Sequence, residues 1–195
     1  MKDPEFNAEF IQRICADHAN PRVCVETGTW KGQRTEIFAE VFDRVHTIEI
    51  DGDQMEETIN RKPWDQKRIA FYLGDSCQLL PALAMQLNEP VFWYLDAHWF
   101  PGIKYKGGNA APLFRELRAI ASRPNYADTV VVDDVHAFMR KEWGDNPPPN
   151  VVSIWGETNQ KNIEEVFDGR IHKSWIEHDK LFLQIKPGLG SIDTD

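Results

Sequence analysis

Val23-Cys24-Val25-Glu26-Thr27-Gly28-Thr29-Trp30-Lys31-Gly32 is the stretch on which the fold turns. Its first five residues make a short, β-prone run, and Gly28 closes it. From Gly32 the pattern becomes helical, with Ile37, Phe38, Val41 and Phe42 along one stripe. The segment therefore reads as strand, tight turn and helix. Gly28 allows a positive φ, and Gly32 lets the helix begin close to a ligand. A helix N-terminus offers free N–H groups and a positive dipole end to an anionic group.

The same alternation continues downstream. Val45 to Ile50 reads as a strand, Asp51 to Asn60 as a polar helix, and Arg68 to Leu73 as a third strand ending at Gly74-Asp75. A helix over Leu79 to Leu87 leads to the nearly all-apolar strand Val91 to Leu95, which ends in Asp96. A helix over Pro112 to Ser122 leads to Thr129 to Val132, which ends in Asp133-Asp134. Five apolar strands alternating with helices imply a mostly parallel α/β sheet, doubly wound by right-handed crossovers. Ile171 to Glu177 and Lys180 to Ile185 are separated only by His178-Asp179, so they must form an antiparallel hairpin. Upstream, Phe6, Phe10, Ile11 and Ile14 share a helical face, so residues 1–20 read as an N-terminal helix ended by Asn20-Pro21.

The chain has 195 residues, 42% of them hydrophobic and 27% charged, which suits one ordinary globular domain over 1–195. No apolar run reaches the ~20 residues that cross a bilayer, and the polar start is unlike a signal peptide. Cys15, Cys24 and Cys77 are odd in number and widely spaced, so neither disulfides nor zinc are expected, and a reducing cytoplasm is the expected location. The formal net charge of −9, without a basic cluster, argues against nucleic acid and for a small-molecule partner. Many soluble proteins are acidic for solubility alone. Oligomeric state is not readable. Residues 100–111 and 137–156 follow strand C-termini, where open α/β sheets bind ligands, so they are the expected substrate-facing loops. Trp99, Trp143 and Trp155 are candidates to wall an acceptor pocket, although buried core is the commoner fate of Trp.

The chemistry is concentrated at the strand ends. The dinucleotide fingerprint is G-x-G-x-x-G, and here Trp30 stands where its second glycine would be. No backbone could approach a pyrophosphate past an indole, so a nucleotide-like ligand other than a dinucleotide fits better. An acid at the end of the second strand, about twenty residues past the glycine turn, is placed for ribose hydroxyls. Glu49 and Asp51 compete for that role. Asp75 and Ser76, after the third strand, suit the edge of an adenine. Each acid alone could be a solvated loop residue. Three at successive strand ends make coincidence improbable.

Glu26 to Gly32, Thr47 to Asp51, Gly74 to Leu83 and Tyr94 to Trp99 resemble the class I S-adenosylmethionine-dependent methyltransferases. They are most similar to the metal-dependent catechol O-methyltransferase type, over about Val23 to Val135. The resemblance implies a Rossmann-like seven-stranded sheet in the order 3-2-1-4-5-7-6. It implies that S-adenosylmethionine is bound by Glu26, Thr27, Gly28, Thr29, Trp30, Gly32, Glu49, Asp75, Ser76 and Asp96, with Glu49 favoured for the ribose. In the family, an Asp ending strand four and an Asp-Asn pair ending strand five hold magnesium. Asp96, Asp133 and Asp134 fall on those positions, with Asp in place of Asn. Three carboxylates sharing a site repel unless protonated or bridged by a cation, and oxygen ligands suit magnesium or manganese. Such a metal lowers the pKa of an attacking hydroxyl.

The family's lysine base after strand four is missing; the sequence reads His98-Trp99-Phe100, with no lysine until Lys104. His98 is the expected base, with Asp96 beside it in the catalytic set and His136 as the rival. Either histidine could instead be a metal ligand or a structural hydrogen-bonder. The expected activity is methyl transfer to a small-molecule hydroxyl. A metal-dependent hydrolase would explain the acids but leave the glycine turn and Glu49 idle. A non-catalytic nucleoside-binding protein is the third reading. On this view Gly28→Val removes cofactor binding and leaves a folded protein.

Overall fold

A computed structural model describes residues 4–98, 112–139 and 158–188. The elements are α1 (Ala8–Ala16), β1 (Val23–Thr27), α2 (Gln33–Val41), β2 (Arg44–Glu49), α3 (Gly52–Asn60), β3 (Ile69–Leu73), α4 (Ser76–Gln86) and β4 (Val91–Leu95). They continue with α5 (Leu113–Ala121), β5 (Thr129–Val132), α6 (Val135–Met139), α7 (Gln160–Glu165), β6 (Ile171–Glu177) and β7 (Lys180–Ile185).

The strands form one seven-stranded sheet in the order β3-β2-β1-β4-β5-β7-β6. β1 to β5 are parallel, and β7 runs antiparallel to both β5 and β6. This is the expected order and the expected terminal hairpin. His178 and Asp179 both take positive φ, 50° and 58°, the signature of a tight two-residue hairpin turn.

β1, β4, β5 and β7 are buried along their whole length because both faces are covered. On one face Val23, Val25, Trp93, Leu95, Val130, Val132, Leu181 and Leu183 pack with Leu80 of α4, Leu117 and Ile120 of α5 and Ile163 of α7. On the other, Cys24, Phe92, Tyr94, Val131 and Phe182 meet Phe10, Ile11 and Ile14 of α1 and Phe38 of α2. Successive strand residues alternate between these two cores, as the two-residue period of a pleated strand requires.

Boundaries depart from the sequence expectation where caps decide them. The Asn7 side chain accepts from the Phe10 amide at 3.0 Å, so α1 begins at Ala8 and ends at Ala16. α4 begins at Ser76, not Leu79, because the Asp75 carboxylate accepts from the Cys77 amide at 2.8 Å. α7, capped by Asn159, and the five-residue α6 were not anticipated. α6 takes the first three residues of the loop expected over 137–156. The rest of that loop, the loop over 100–111, and Trp99, Trp143 and Trp155 lie outside the described residues. Among the described residues, no helix is long and apolar enough to cross a membrane.

Candidate functional site

β1 and β4 are neighbours at the point where the chain reverses its direction of winding, with β2 on one side and β5 on the other. The crevice outside their C-terminal ends is where an open α/β sheet receives a ligand. The Gly28 turn lines it. Gly28 has φ +86°, and its amide donates to the Ile48 carbonyl at 2.9 Å. A Cβ at Gly28 would stand 2.5 Å from the Asp96 carbonyl oxygen and 2.9 Å from its carbon. β4 therefore passes directly against the turn, and this corrects the expectation for Gly28→Val: the added side chain strikes the backbone of the adjacent strand. Gly32, at φ +66°, is also needed for packing, because a Cβ there would meet Thr58 at 2.8 Å and the Trp64 ring at 3.0 Å.

Glu26, Thr27 and Thr29 lie inside the turn and are buried. The Thr35 and Thr47 hydroxyls donate to Glu26 Oε2 at 2.6 and 2.7 Å, and Thr29 and Thr47 hydroxyls meet at 2.6 Å. Burial pushes the Glu26 carboxyl up to about 7, against the pull of those two hydrogen bonds. Glu26 thus ties α2 and β2 to β1 under the turn.

Glu49 and Asp51 have different tasks. Glu49 Oε2 accepts from the Trp30 amide at 2.8 Å and Oε1 from the Asp51 amide at 2.9 Å. Its carboxylate therefore sits on the glycine turn at the end of β2. Asp51 caps α3, accepting from the Asp53 and Gln54 amides at 3.0 and 3.3 Å. Trp30, at φ +42°, is held between the Glu49 carboxylate on its amide and the Thr58 hydroxyl on its carbonyl, and its ring is half exposed.

Asp75, the N-cap of α4 after β3, is partly exposed, and Ser76 is buried. Sequence reading missed their neighbour Glu116. It is buried on α5, and burial pushes its carboxyl up to about 7 while hydrogen bonds from Ser76 and Thr27 oppose that. A glutamate on a helix whose other face is apolar carries no mark of this in sequence.

At the ends of β4 and β5 the structure brings Asp96, His98 and Asp134 together, with donor atoms within 4.8 Å of one another. His98 Nε2 is 3.0 Å from Asp134 Oδ2, and Nδ1 is 3.5 Å from Asp96 Oδ1. Burial holds the Asp96 carboxyl well above the usual range, reinforced by the neighbouring Asp133 and Asp134 and relieved by His98. Burial works to lower the His98 pKa, but the Asp134 hydrogen bond and the charges of Asp96, Asp134 and Asp133 raise it overall. Burial also opposes ionisation of Asp134, yet the His98 hydrogen bond and the charges of His98, His136 and Lys180 hold it below the ordinary value. Asp134 has φ +55°, a conformation uncommon for a residue with a side chain.

Asp133 and His136 depart from the expected arrangement. Asp133 does not join the cluster: Lys180 Nζ lies 2.8 Å from its Oδ1, the Asp134 amide donates to the same oxygen at 2.8 Å, and the Tyr94 hydroxyl donates to Oδ2. The register pairs Val132 with Leu181 across β5 and β7, so Lys180 falls opposite Asp133. His136 turns toward the hairpin, its amide donating to Asp179 Oδ1 at 2.8 Å and its ring Nδ1 pairing with Asp179 Oδ2. It is half exposed, with Nδ1 3.9 Å from Asp134 Oδ1.

No protein-family model matches the chain, and no curated protein matches it. Solved structures do. One is the MycE methyltransferase of the mycinamycin biosynthetic pathway, in complex with Mg, SAH and mycinamycin VI, at 18% identity and TM-score 0.62 over 95% of this chain. The match covers 51% of MycE, so the chain spans about half the length of that relative. Another is the O-methyltransferase TomG from Streptomyces achromogenes, involved in tomaymycin synthesis and solved with SAM: 17% identity, TM-score 0.64, 96% of this chain and 82% of that one. A fibrillarin pre-rRNA processing protein from Methanococcus jannaschii is similar at 15% identity and TM-score 0.51, over 86% of this chain and 67% of that one. At these identities the likeness is one of fold: the chain has the seven-stranded Rossmann-like fold of the class I methyltransferases.

Proposed function

We propose that this chain is an S-adenosylmethionine-dependent methyltransferase of the catechol O-methyltransferase type, acting on a hydroxyl of a small molecule with the help of magnesium or manganese. The observation that supports it best is the convergence, at one crevice, of the Gly28 turn, the Glu49 carboxylate and the Asp96–His98–Asp134 cluster. A hydrolase would use the cluster and leave the other two without a task. Fold alone does not choose, since it also serves a pre-rRNA processing protein.

In this reading Glu49 holds the ribose, Gly28 and Trp30 shape the wall beside it, and Asp75 with Ser76 borders the adenine. Glu26, Thr27, Thr29 and Gly32 keep the turn in place from within. The donor set fits a hard divalent cation: two carboxylates that repel each other, with one ring nitrogen at hand. Asp96 and Asp134 would hold it, while Asp133 is committed to Lys180 and Tyr94. When bound, the sulfonium supplies the methyl group and the cation lowers the pKa of the acceptor hydroxyl. His98, partly buried between the two carboxylates, is the residue we assign to take that hydroxyl's proton. His136 is a structural hydrogen-bonder to the hairpin in this arrangement. We place all of this in one domain over 1–195, in the cytoplasm.

Isothermal titration tests the reading. S-adenosylhomocysteine should bind saturably and NAD should not. Glu49→Ala should weaken it by about 1.5–3 kcal/mol, the range for a charge-assisted hydrogen bond. Saturable NAD binding with no heat from S-adenosylhomocysteine would sink the proposal. With a net charge of −9, no retention of RNA is expected at 0.15 M salt, on the order of physiological ionic strength; tight RNA binding there would replace the small-molecule acceptor with a nucleic acid.

A further inference from the structure

We propose that Lys180 is a built-in counter-charge of the acid cluster, occupying Asp133 so that Asp96 and Asp134 alone receive the divalent cation, and thereby limiting metal affinity. This rests on the cation reading given above.

The ammonium is almost wholly buried, with 4% of its side chain exposed against 10% for Asp133. A lysine is rarely buried to this degree unless it is paired. Here the pairing is visible. Nζ lies 2.8 Å from Asp133 Oδ1, donates to the His178 carbonyl at 3.1 Å, and sits 5.0 Å from the centre of the Phe6 ring. Asp133 is held as firmly from its own side. Oδ1 takes both Lys180 and the Asp134 amide, and Oδ2 takes the Tyr94 hydroxyl. A cation could engage Oδ1 only by displacing one of these groups.

The charge balance follows. Asp96, Asp133 and Asp134 carry −3 when ionised, and Lys180 brings the set to −2, which one divalent cation neutralises. Lys180 also reaches the cluster through the chain, because the oxygen it holds is the one that accepts the Asp134 amide. Replacing it with a neutral side chain leaves −3 and frees an oxygen, so the cation should bind more tightly. A lysine that only fastened the β5–β7 pairing would not change metal affinity in that direction.

The probe is Mn2+ titrated into the full chain, free Mn2+ being read by electron paramagnetic resonance with and without S-adenosylhomocysteine. Lys180→Met should bind Mn2+ about tenfold more tightly or better, and Lys180→Arg should resemble the parent. Asp133→Asn should bind it more weakly, since the ammonium is left unpaired nearby. Adding Lys180→Met to Asp133→Asn should restore the lost affinity. That pair carries the test if Lys180→Met alone does not fold. Tight binding by Lys180→Met with none by the parent supports the proposal. If the parent binds Mn2+ and removing Lys180 changes nothing in either background, Lys180 is structural and the proposal is overturned while the cation reading stands. If none of these proteins binds Mn2+ although S-adenosylhomocysteine still binds, the cation reading fails and takes the proposal with it.

Discussion

Gly28 is the residue with the least freedom. Its φ of +86° suits glycine, and its missing Cβ is what lets the Asp96 carbonyl approach. An alanine there must adopt a left-handed backbone, which costs roughly 1–2 kcal/mol for an L-residue, and must also push β4 away. Gly28→Ala should therefore lower the urea midpoint in the absence of any ligand. If unligated stability is unchanged and only S-adenosylhomocysteine affinity falls, the turn is tolerant and the constraint lies in the ligand. Glu49 shows how neighbouring acids divide their tasks. Glu49 ends β2 and Asp51 follows two residues on, yet one holds the Trp30 amide and the other caps a helix. Hydrogen-bond partners, and not residue type, separate them.

The elements that shape the crevice are steadied from a distance. α6 has only five residues, too short to hold itself. Its N-terminus is held by the β6–β7 turn, where the Asp179 carbonyl accepts from the Val135 amide at 3.0 Å and its carboxylate from the His136 amide at 2.8 Å. Asp179 thus acts as a helix cap supplied from another element. Asp179→Ala should cost about 0.5–2 kcal/mol, as loss of a cap does, measured by urea denaturation, and should leave S-adenosylhomocysteine affinity near that of the parent. A large loss of nucleoside affinity at unchanged stability would place Asp179 in the binding site instead.

For the whole molecule, burial of carboxyls sets the response to pH. Glu26 and Glu116 are raised from 4.5 to about 7, and Asp128 from 3.8 to about 6, burial being the largest cause in each. A group raised on folding binds its proton more tightly in the native state. Its contribution is complete below the unfolded value and is lost as pH rises through the folded one. Stability should fall between about pH 4.5 and 7, by on the order of 3 kcal/mol for a carboxyl moved as far as Glu26. His98, also raised, acts in the same direction. Thermal melts should give a higher Tm at about pH 5 than at pH 8, and Glu26→Gln should shrink the difference. A Tm that rises across this range would contradict the burial of these groups.

Strand number, parallel pairing and the terminal hairpin were legible in the chain because they rest on local signals: apolar runs of five residues, glycine turns, and a two-residue link too short for a crossover. So was the set of acids at strand ends, because a strand's last residue is marked by where its apolar run stops. Partners were not legible. The sequence offered Asp133 as a third metal ligand, but the antiparallel register of β5 and β7 set Lys180 opposite it. It offered His136 as the rival of His98 for the base and gave no sign that its ring pairs with Asp179 of the hairpin turn. It was silent on Glu116, and on the approach of Asp96 to Gly28. Periodicity along one strand determines which face a residue takes; which group it meets there depends on register and on the packing of distant elements, and only the tertiary structure decides that.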